Sequence, residues 1–238
     1  MSVFDIIIPH YGAGELTEVC LRCLRSIKQH TDSDEYRIIL VDNASPDPDP
    51  VRNALSFHPH LYVRNTENLG FIKATNQGIR LATAPYVVLM NNDAEAAHNW
   101  LEKMRHAFDV HPQVGLAGPL STAWDSWQGR WIPTKGKDRS ANFDRVHLLA
   151  ANRMLAFFCV MIARSVFDKI GLLDESYGVG FGDDDEFCRR AERAFILLAL
   201  VQDLRIPHAH RTTFKALYSD EQIRNMQTAA LAKFKASR

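Results

Sequence analysis

The amino-acid sequence predicts an α/β fold, in which a mostly parallel central sheet is flanked by helices and the chain forms a single domain. Through the first half, short apolar runs rich in β-branched residues alternate with amphipathic stretches of helical period. That order is typical of parallel strands joined by right-handed crossovers. With 238 residues, of which 46% are hydrophobic, the chain is long enough to bury a large core.

Four strands alternating with three helices are expected in the first half, and a fourth helix begins the second half. Each predicted strand is a short apolar run that stops at polar residues, and the run that ends before Asn91 is the clearest of the four. In open α/β sheets ligands bind at the carboxyl ends of the strands, so these polar residues are candidates for a binding site. The predicted strands are 4–8, 37–41, 61–63 and 86–90, and the predicted helices are 15–30, 50–57, 71–82 and 99–110.

The second half has a less regular pattern. A strand over 114–117 is expected to end before Pro119, and residues 121–152, which include three tryptophans, are expected to be rich in loops with short strands. Ser219 and Gln222 form a capping-box pattern that predicts a final helix. Between these regions, strands are predicted over 157–163, 196–201 and 205–207, and helices over 165–170 and 183–195.

Charge and composition argue against several classes of function. Lys and Arg together number 28, as do Asp and Glu, so no overall field favours nucleic acid or an anionic membrane. The start of the chain is too acidic for a signal peptide, no apolar run is long enough to span a bilayer, and the four cysteines fit reduced thiols. These features are typical of a cytoplasmic protein. Cys20 and Cys23 form a CxxC pattern on an apolar helix stripe, which favours burial over redox or metal chemistry.

Candidate ligand-binding groups follow the second and fourth predicted strands. Asp93, with Asn91 and Asn92 before it, offers a carboxylate beside two carboxamides, which suits a hard divalent cation that also takes phosphate oxygens. Asp42 is placed to accept hydrogen bonds from a base or a ribose. Each also has a plainer interpretation, since a polar triplet can simply begin a loop and an Asp can close an Asx turn.

A third candidate lies at the start of the helix predicted over 71–82. Gly70 has no side chain and so allows a ligand to approach the backbone closely. The ammonium group of Lys73 could pair with a phosphate group. Asn68, which precedes both, could line a nucleotide site or could simply be the N-cap of the helix.

Two further candidates lie late in the chain. Four adjacent carboxylates over 183–186 repel one another, which raises pKa values and suits a proton acceptor at Asp183 or Asp184. A helix N-terminus also favours acidic residues, so the run has a structural interpretation as well. His208 and His210 follow a strand at positions i and i+2, a spacing that suits a metal-facing imidazole or a polar strand end.

Taken together, these stretches resemble the inverting nucleotide-sugar glycosyltransferases of family 2, and in particular the rhamnosyltransferase-like members that build bacterial surface polysaccharides. The resemblance runs from Ile6 to Phe214, and five segments in the family's order make it specific. It implies the GT-A fold, a single domain with a Rossmann-like, mostly parallel sheet. The segments are VDNASPD (41–47), ENLGFIKATNQGI (67–79), YVVLMNNDA (86–94), VFDKIGLLDESY (166–177) and GFGDDDEFCRR (180–190).

The resemblance implies a role for each candidate residue. Asp184 stands in the family's acidic pair and is the implied general base, with Asp183 beside it. Asp93 stands in the family's DXD motif and is implied to bind Mg²⁺ or Mn²⁺, with His208 or His210 on the metal side. The implied nucleotide-sugar-binding residues are Pro9 and Tyr11, which flank the base, Asp42, which recognises it, and Asn68, Gly70, Lys73, Asn91 and Asn92.

The implied activity is metal-assisted transfer of a sugar from a nucleotide-diphosphate donor to an acceptor hydroxyl in surface polysaccharide biosynthesis. A UDP- or dTDP-sugar is the implied donor, a glycan or lipid-linked glycan is the acceptor, and no nucleic acid is expected as a partner. Residues 1–98 would bind the nucleotide sugar, 99–218 would hold the acceptor and the base, and 219–238 would form a C-terminal helix. The protein is expected to be cytoplasmic, and peripheral association with the inner membrane is a second expectation.

The sequence departs from the family pattern at two candidate positions. Asn91 replaces the first Asp of the DXD motif, and Asp183 replaces a Glu. Two other functions are considered beside the transferase. One is a catalytically inactive module that binds a sugar nucleotide, and the other is a dinucleotide-binding oxidoreductase, suggested by the broken glycine motif at 12–17.

Overall fold

An eight-stranded sheet forms the centre of the computed structural model, which describes residues 2–31, 35–123, 127–130, 146–209 and 212–237. Across the sheet the strand order is β3-β2-β1-β4-β7-β5-β8-β6, so one sheet joins both halves of the sequence. Along the chain the strands are β1 Phe4–His10, β2 Tyr36–Asp42, β3 His60–Arg64, β4 Tyr86–Met90, β5 Val114–Ser121, β6 Val146–Leu148, β7 Cys159–Ala163 and β8 Leu197–Ile206.

Helices cover both faces of this sheet. Short 3₁₀ turns at Leu55–Phe57 and Glu175–Tyr177 accompany them. Within the described residues, no helix has the length and apolarity needed to cross a bilayer. The helices are α1 Glu15–His30, α2 Asp49–Ala54, α3 Phe71–Leu81, α4 Trp100–Val110, α5 Trp127–Arg130, α6 Arg164–Ile170, α7 Asp183–Arg193, α8 Thr212–Leu217 and α9 Asp220–Ala236.

The first four strands form one parallel part of the sheet and β5 with β8 forms another, which confirms the predicted mostly parallel sheet. β1 pairs in parallel with both β2 and β4, and β2 pairs in parallel with β3. In this register His10 lies beside Asp42, and Asp42 lies beside Arg64. The carboxyl ends of these strands consequently meet at one edge of the sheet, where ligands bind in folds of this class.

Antiparallel pairing enters in the second half of the chain. β7 lies between β4 and β5 and is antiparallel to both, and β6 is antiparallel to β8. Met90 at the end of β4 pairs with Cys159 at the beginning of β7. Phe158, the residue before β7, therefore reaches the same edge as the ends of the parallel strands.

Two hydrophobic layers, one on each face of the sheet, make up the core. Because side chains alternate along a strand, Ile6 and Ile8 face one layer and Ile7 faces the other. The first layer contains the buried sides of α1 and α4, including Cys20 and Cys23, so the predicted burial of the CxxC pattern is confirmed. The second layer contains buried residues of α3, α6 and α7. Each layer buries one face of the sheet beneath the edge that carries the polar residues.

Several elements differ from the sequence prediction. β5 continues through Pro119, because a register shift between Pro119 and Leu120 accommodates a residue that has no N–H. The two strands predicted over 196–201 and 205–207 are one strand, β8. The short helices α5 and α8 are absent from the prediction, whereas the short strand β6 agrees with the short strands expected over 121–152.

Gly78 lies in α3 at the point where this helix packs against β1. A Cβ atom added there would lie 2.4 Å from Cγ2 of Ile7, which is fully buried. Gly78→Ala is therefore expected to destabilise the protein by about 1–3 kcal/mol, although Ala is normally favoured over Gly in a helix. Urea unfolding measures the change. The control is Arg80→Ala on the exposed side of the same helix, where about 0.5 kcal/mol or less is expected. Equal stability of the two variants would contradict the close packing of α3 on β1.

Candidate active site

A cavity of about 430 Å³ lies at the carboxyl edge of the parallel strands. Its walls come from the ends of β1 and β4, the loop before α7, the segment after β8, and helices α8 and α9. Most of the residues predicted to be functional line it. They are Pro9, Tyr11, Asn68, Gly70, Asn91, Asn92, Asp93, Asp183, Asp184 and His208.

Asp93 and His208 form a buried pair inside this cavity. The Oδ1 atom of Asp93 lies 3.1 Å from Nε2 of His208, and the two side chains are only 5% and 6% exposed. The backbone joins the same segments, because Ala94 forms a β-bridge with His208 and the N–H of Ala209 donates to the carbonyl of Asp93. The N–H of Thr212 donates to the other carboxylate oxygen of Asp93 at 3.2 Å. Residues far apart in the sequence are thus fixed at one point.

The ionisation of Asp93 follows from these contacts. Burial alone would raise the pKa of the Asp93 carboxyl, but the hydrogen bond and charge of His208 and the N–H of Thr212 lower it below its usual value. Asp93 is consequently a carboxylate at neutral pH. The carboxylate oxygen and the imidazole nitrogen share a hydrogen bond at 3.1 Å, and a divalent ion bound by both atoms would take the place of the shared proton. The pair therefore fits Mg²⁺ or Mn²⁺. Among the described residues no third His, Cys, Asp or Glu joins it, which leaves other positions for diphosphate oxygens and water.

Asn91 and Asn92 are held from two sides. The N–H of Asn91 donates to the carbonyl of Phe158 at 2.8 Å, and the ring of Phe158 stacks on His208 with centroids 4.7 Å apart. The Nδ2 group of Asn92 donates to Nδ1 of His10 at 3.0 Å. Burial lowers the pKa of His10 to about 4 despite the nearby charge of Asp42, so His10 is neutral and can accept this bond. His10 and Phe158 are cavity residues that the sequence reasoning missed.

Asn43 is another cavity residue that the sequence reasoning missed. It is buried, its Nδ2 group donates to Oδ1 of Asn68 and to the carbonyl of Gly70, and its Oδ1 accepts from the N–H of Leu69. These three bonds fix the loop before α3. The sequence feature that could have identified Asn43 is its position directly after Asp42, at the end of a predicted strand.

Gly70 allows the loop before α7 to pack against the loop before α3. Its φ is +82°, and an added Cβ would lie 2.9 Å from the Cα of Val179. The N–H of Phe71 donates to the carbonyl of Val179 at 2.9 Å. This contact brings the acidic end of α7 to the same cavity as the strand ends.

Asp183 and Asp184 begin α7 directly after Gly182, which has a φ of +77°. Oδ1 of Asp183 accepts from the N–H of Phe181, and Oδ1 of Asp184 accepts from the N–H of Asp185. Burial is the main cause that raises the pKa of both carboxyls, and repulsion from neighbouring carboxylates adds to it. Such carboxyls suit a proton acceptor. The alternative interpretation, that these acidic residues only stabilise the start of the helix, fits Glu186. Its carboxylate pairs with Arg190 at 2.7 Å outside the cavity.

Two predicted site residues, Asp42 and Lys73, are not among the described residues that line the cavity. Asp42 is buried at the end of β2, where it is covered by Tyr62 and Arg64. Lys73 lies on the exposed side of α3. His210 lies outside the described residues. Of the three tryptophans over 121–152, which could offer a face to an acceptor sugar or pack in the core, Trp124 and Trp131 also lie outside the described residues, and Trp127 packs against the second core layer. The roles of Asp42, Lys73 and His210 stay predictions.

Sequence comparisons connect this arrangement with known proteins. A family model described as glycosyl transferase family 2 matches residues 5–171, a segment that includes Asp93 and ends before Asp183. A human polypeptide N-acetylgalactosaminyltransferase 14 is 21% identical over 226 residues, covering 87% of this chain and 41% of that protein. A dTDP-rhamnosyl transferase of Shigella flexneri is 22% identical over 150 residues, covering 60% of this chain and 49% of the relative. The chain thus spans less than half the length of either curated relative.

A solved structure shares the fold. A mannosyltransferase from Pyrobaculum calidifontis, in complex with GDP-Man and Mn²⁺, superposes with a TM-score of 0.72 at 18% sequence identity. The match covers 99% of this chain and 63% of that one. The predicted fold is confirmed by this likeness and by the sheet itself.

Proposed function

Because this chain belongs to glycosyltransferase family 2, we propose that it transfers a sugar from a nucleotide-diphosphate donor to an acceptor hydroxyl, with inversion at the anomeric carbon. The observation that carries the proposal is the presence, in one cavity, of the Asp93–His208 pair and of the acidic residues Asp183 and Asp184. The first pair suits the leaving diphosphate, and the second suits a proton acceptor. A module that only binds a sugar nucleotide would need only the first.

Donor binding is assigned to the ends of the parallel strands. Pro9, Tyr11, Asn68 and Gly70 line the cavity, and we assign them to the nucleotide of the donor. A Mg²⁺ or Mn²⁺ ion held by Asp93 and His208 would supply positive charge to the diphosphate.

Asp184 is the proposed general base. Its carboxylate takes the proton of the acceptor hydroxyl while the hydroxyl oxygen forms a bond to the anomeric carbon. The bond from that carbon to the diphosphate oxygen breaks, and its electron pair leaves with the diphosphate. Because the acceptor attacks from the face opposite the leaving group, one displacement inverts the anomeric configuration. The N–H groups of Phe181 and Asp185 hold the two acidic side chains in place for this step.

The acceptor is assigned to the wall formed by α8 and α9. Leu217 and Leu231 line the cavity and are 39% and 54% exposed. Phe214 packs against Phe181 with ring centroids 4.7 Å apart. Such side chains suit the apolar face of a sugar or the lipid of a lipid-linked glycan. We therefore keep a glycan or lipid-linked glycan of a surface polysaccharide as the proposed acceptor, with cytoplasmic localisation as part of the same proposal.

The pH dependence of transfer tests the general base. Burial, followed by repulsion from Asp183 and Asp185, raises the pKa of Asp184 well above its usual value. Because only the ionised form accepts a proton, turnover should rise with pH, with a midpoint above the value near pH 4 of an ordinary carboxyl. Asp185→Asn removes one repelling charge, so the midpoint should move to lower pH. A kcat/KM profile of both proteins from about pH 4 to 9 measures the two midpoints. A wild-type midpoint near pH 4 would contradict the assignment.

A donor screen tests the function itself. The full chain is mixed with UDP-, dTDP- and GDP-sugars and Mn²⁺ or Mg²⁺, and release of the nucleoside diphosphate is followed with and without acceptor glycans. We expect release from one nucleotide sugar that stops when EDTA removes the metal. Binding without turnover, at the level of Asp184→Asn, would identify an inactive sugar-nucleotide-binding module. Binding of NAD without affinity for nucleoside diphosphates would identify a dinucleotide-binding oxidoreductase.

A further inference from the structure

We propose that the outer side of the cavity wall formed by α8 and α9 docks on the surface of an anionic lipid bilayer. The inference deepens the proposed function and rests on it for the acceptor, which would be carried by a lipid of that bilayer. We call this surface the α8–α9 face, and it consists of four exposed residues, Leu217, Arg224, Leu231 and Lys235.

Two exposed leucines form the apolar part of the α8–α9 face. Leu217 at the end of α8 is 39% exposed, and Leu231 in α9 is 54% exposed. Both also line the cavity, which the other exposed large hydrophobic residues of the described chain do not. The cavity therefore reaches the surface beside these leucines, and the lipid of an acceptor that occupies the cavity would leave it over apolar side chains.

Two basic residues flank Leu231 along α9. Arg224, Leu231 and Lys235 stand at positions i, i+7 and i+11, so they share one stripe of the helix. Arg224 lies about 10 Å and Lys235 about 6 Å from Leu231 along the helix axis. Both basic residues are exposed, and within the part of the chain that the structure describes neither forms an ion pair. Their charges are consequently available to lipid headgroups.

The acidic residues of α9 lie at its beginning. Asp220 and Glu221 occupy the first turn, where they complement the helix dipole. From residue 222 to residue 237 the chain contains three basic residues and no acidic one. Positive charge beside exposed leucines is the combination that binds anionic lipid surfaces. A polyanion without lipid would use the charges and leave the leucines uncovered, so the apolar part of the face favours a bilayer.

Contacts with the body of the protein fix the direction of the α8–α9 face. Ile223 and Ala230 on the inner side of α9 are buried. Arg189 of α7 donates to the carbonyl of Phe234 at 2.8 Å, and its guanidinium lies 3.9 Å from the centroid of the Phe234 ring. The helix is thus held on the side that faces the core and the cavity, and its basic stripe faces solvent. Because α7 begins with the proposed base, the same contacts hold the docking surface and the reacting end of the cavity in one arrangement.

Sedimentation with lipid vesicles tests the inference. The full chain is mixed with vesicles of equal parts phosphatidylglycerol and phosphatidylcholine, and separately with vesicles of phosphatidylcholine alone. We expect the wild type to bind the anionic vesicles about tenfold or more tightly than the neutral ones, and to bind them less tightly in about 0.5 M NaCl. Equal binding to both kinds of vesicle, or binding to neither, would overturn the inference.

Substitutions on the α8–α9 face locate the docking surface. Replacing both basic residues, in the double variant Arg224→Gln with Lys235→Gln, should weaken binding to anionic vesicles about 25-fold, or about fivefold for each charge. Replacing both leucines, in Leu217→Ser with Leu231→Ser, should weaken it about tenfold. Since all four side chains are exposed and Gln is a good helix former, the melting temperatures should stay close to that of the wild type.

Two control variants change the same kind of residue elsewhere. Arg52→Gln with Arg105→Gln removes the same charge from exposed positions on α2 and α4, so it should bind vesicles as the wild type does. Phe195→Ser should also bind as the wild type does. Phe195 is 91% exposed, but it precedes β8 at the amino edge of the sheet, opposite the cavity. Loss of binding in either control, with binding kept in the basic double variant, would place docking on another surface and overturn the inference.

Turnover separates the docking surface from the proposed function. Arg224 and Lys235 are not among the described residues that line the cavity, so their double variant should release nucleoside diphosphate with a water-soluble acceptor glycan as fast as the wild type. If the wild type binds anionic vesicles but turns over no nucleotide sugar, the proposed function fails and the docking surface stands. If it turns over a donor but binds no vesicle, the inference is wrong and the proposed function stands. A change of oligomeric state in the leucine double variant without lipid would assign the face to a second copy of the chain and would also overturn the inference.

Discussion

Asp184→Asn is expected to lower sugar transfer by roughly 10²–10⁴-fold and, at the same pH, to stabilise the folded protein. Activity falls because the amide cannot accept the proton of the acceptor hydroxyl. Stability rises because burial and the neighbouring carboxylates penalise the ionised form of Asp184 in the folded state. Its folded pKa is raised above the unfolded value, so its contribution to stability is fully present below the unfolded pKa and is lost as pH rises through the folded pKa. At neutral pH the neutral amide removes that penalty.

The two effects are measured on one protein preparation. Donor turnover with acceptor gives the first, and the melting temperature at about pH 7 and pH 4 gives the second, with a rise of about 2 °C or more expected at the higher pH only. The amide oxygen of Asn can still accept from the N–H of Asp185, so the start of α7 is preserved. Asp109→Asn on the exposed side of α4 is the matched control and should change neither quantity. A variant that loses both activity and stability would show that Asp184 has a structural role instead.

Asp93→Ala is expected to lower transfer by roughly 10²–10³-fold and to weaken binding of Mn²⁺ by about tenfold or more. The substitution leaves only His208 of the Asp93–His208 pair to bind the ion. It also removes the negative charge that would hold the ion beside the diphosphate. Titration of the protein with Mn²⁺, followed by turnover at saturating metal, measures both effects.

Asp93→Asn serves as a second variant for this test, because its amide oxygen still accepts from the N–H of Thr212 and preserves the fold. Asp203→Asn, on the surface at β8, removes a carboxylate away from the cavity and should leave metal affinity unchanged. Unchanged metal dependence in Asp93→Ala would remove the basis for placing the diphosphate at this strand end.

The parallel half of the fold and the position of Asp93 could be predicted because their signals are local. A short β-branched run that ends in polar residues specifies both a buried strand and an exposed strand end, and four such runs in order specify the edge where they meet. Asp183 and Asp184 could be predicted for a similar reason, since four adjacent carboxylates exceed what a helix N-terminus needs.

The remaining features of the candidate site depend on contacts between distant segments. The pairing of His208 with Asp93 requires the turn after β8 to reach the end of β4, and no local pattern encodes that distance. The burial of Asp42 depends on the register that places Arg64 and Tyr62 of β3 beside it. The stacking of Phe158 on His208 depends on the antiparallel direction of β7. A polar residue at a strand end is thus predictable, but whether it faces a ligand or a neighbouring strand is not.

The distance in sequence between Asp93 and its partners has a consequence for the order of events during synthesis. The four parallel strands are contiguous in the chain, so they can pair while the later part is still on the ribosome. Thr212, which donates to Asp93, lies 119 residues further on. Asp93 therefore gains this hydrogen bond late, after all four parallel strands have been synthesised. The cavity is complete only when the last quarter of the polypeptide has been synthesised, because α7, α8 and α9, which line it, all lie there.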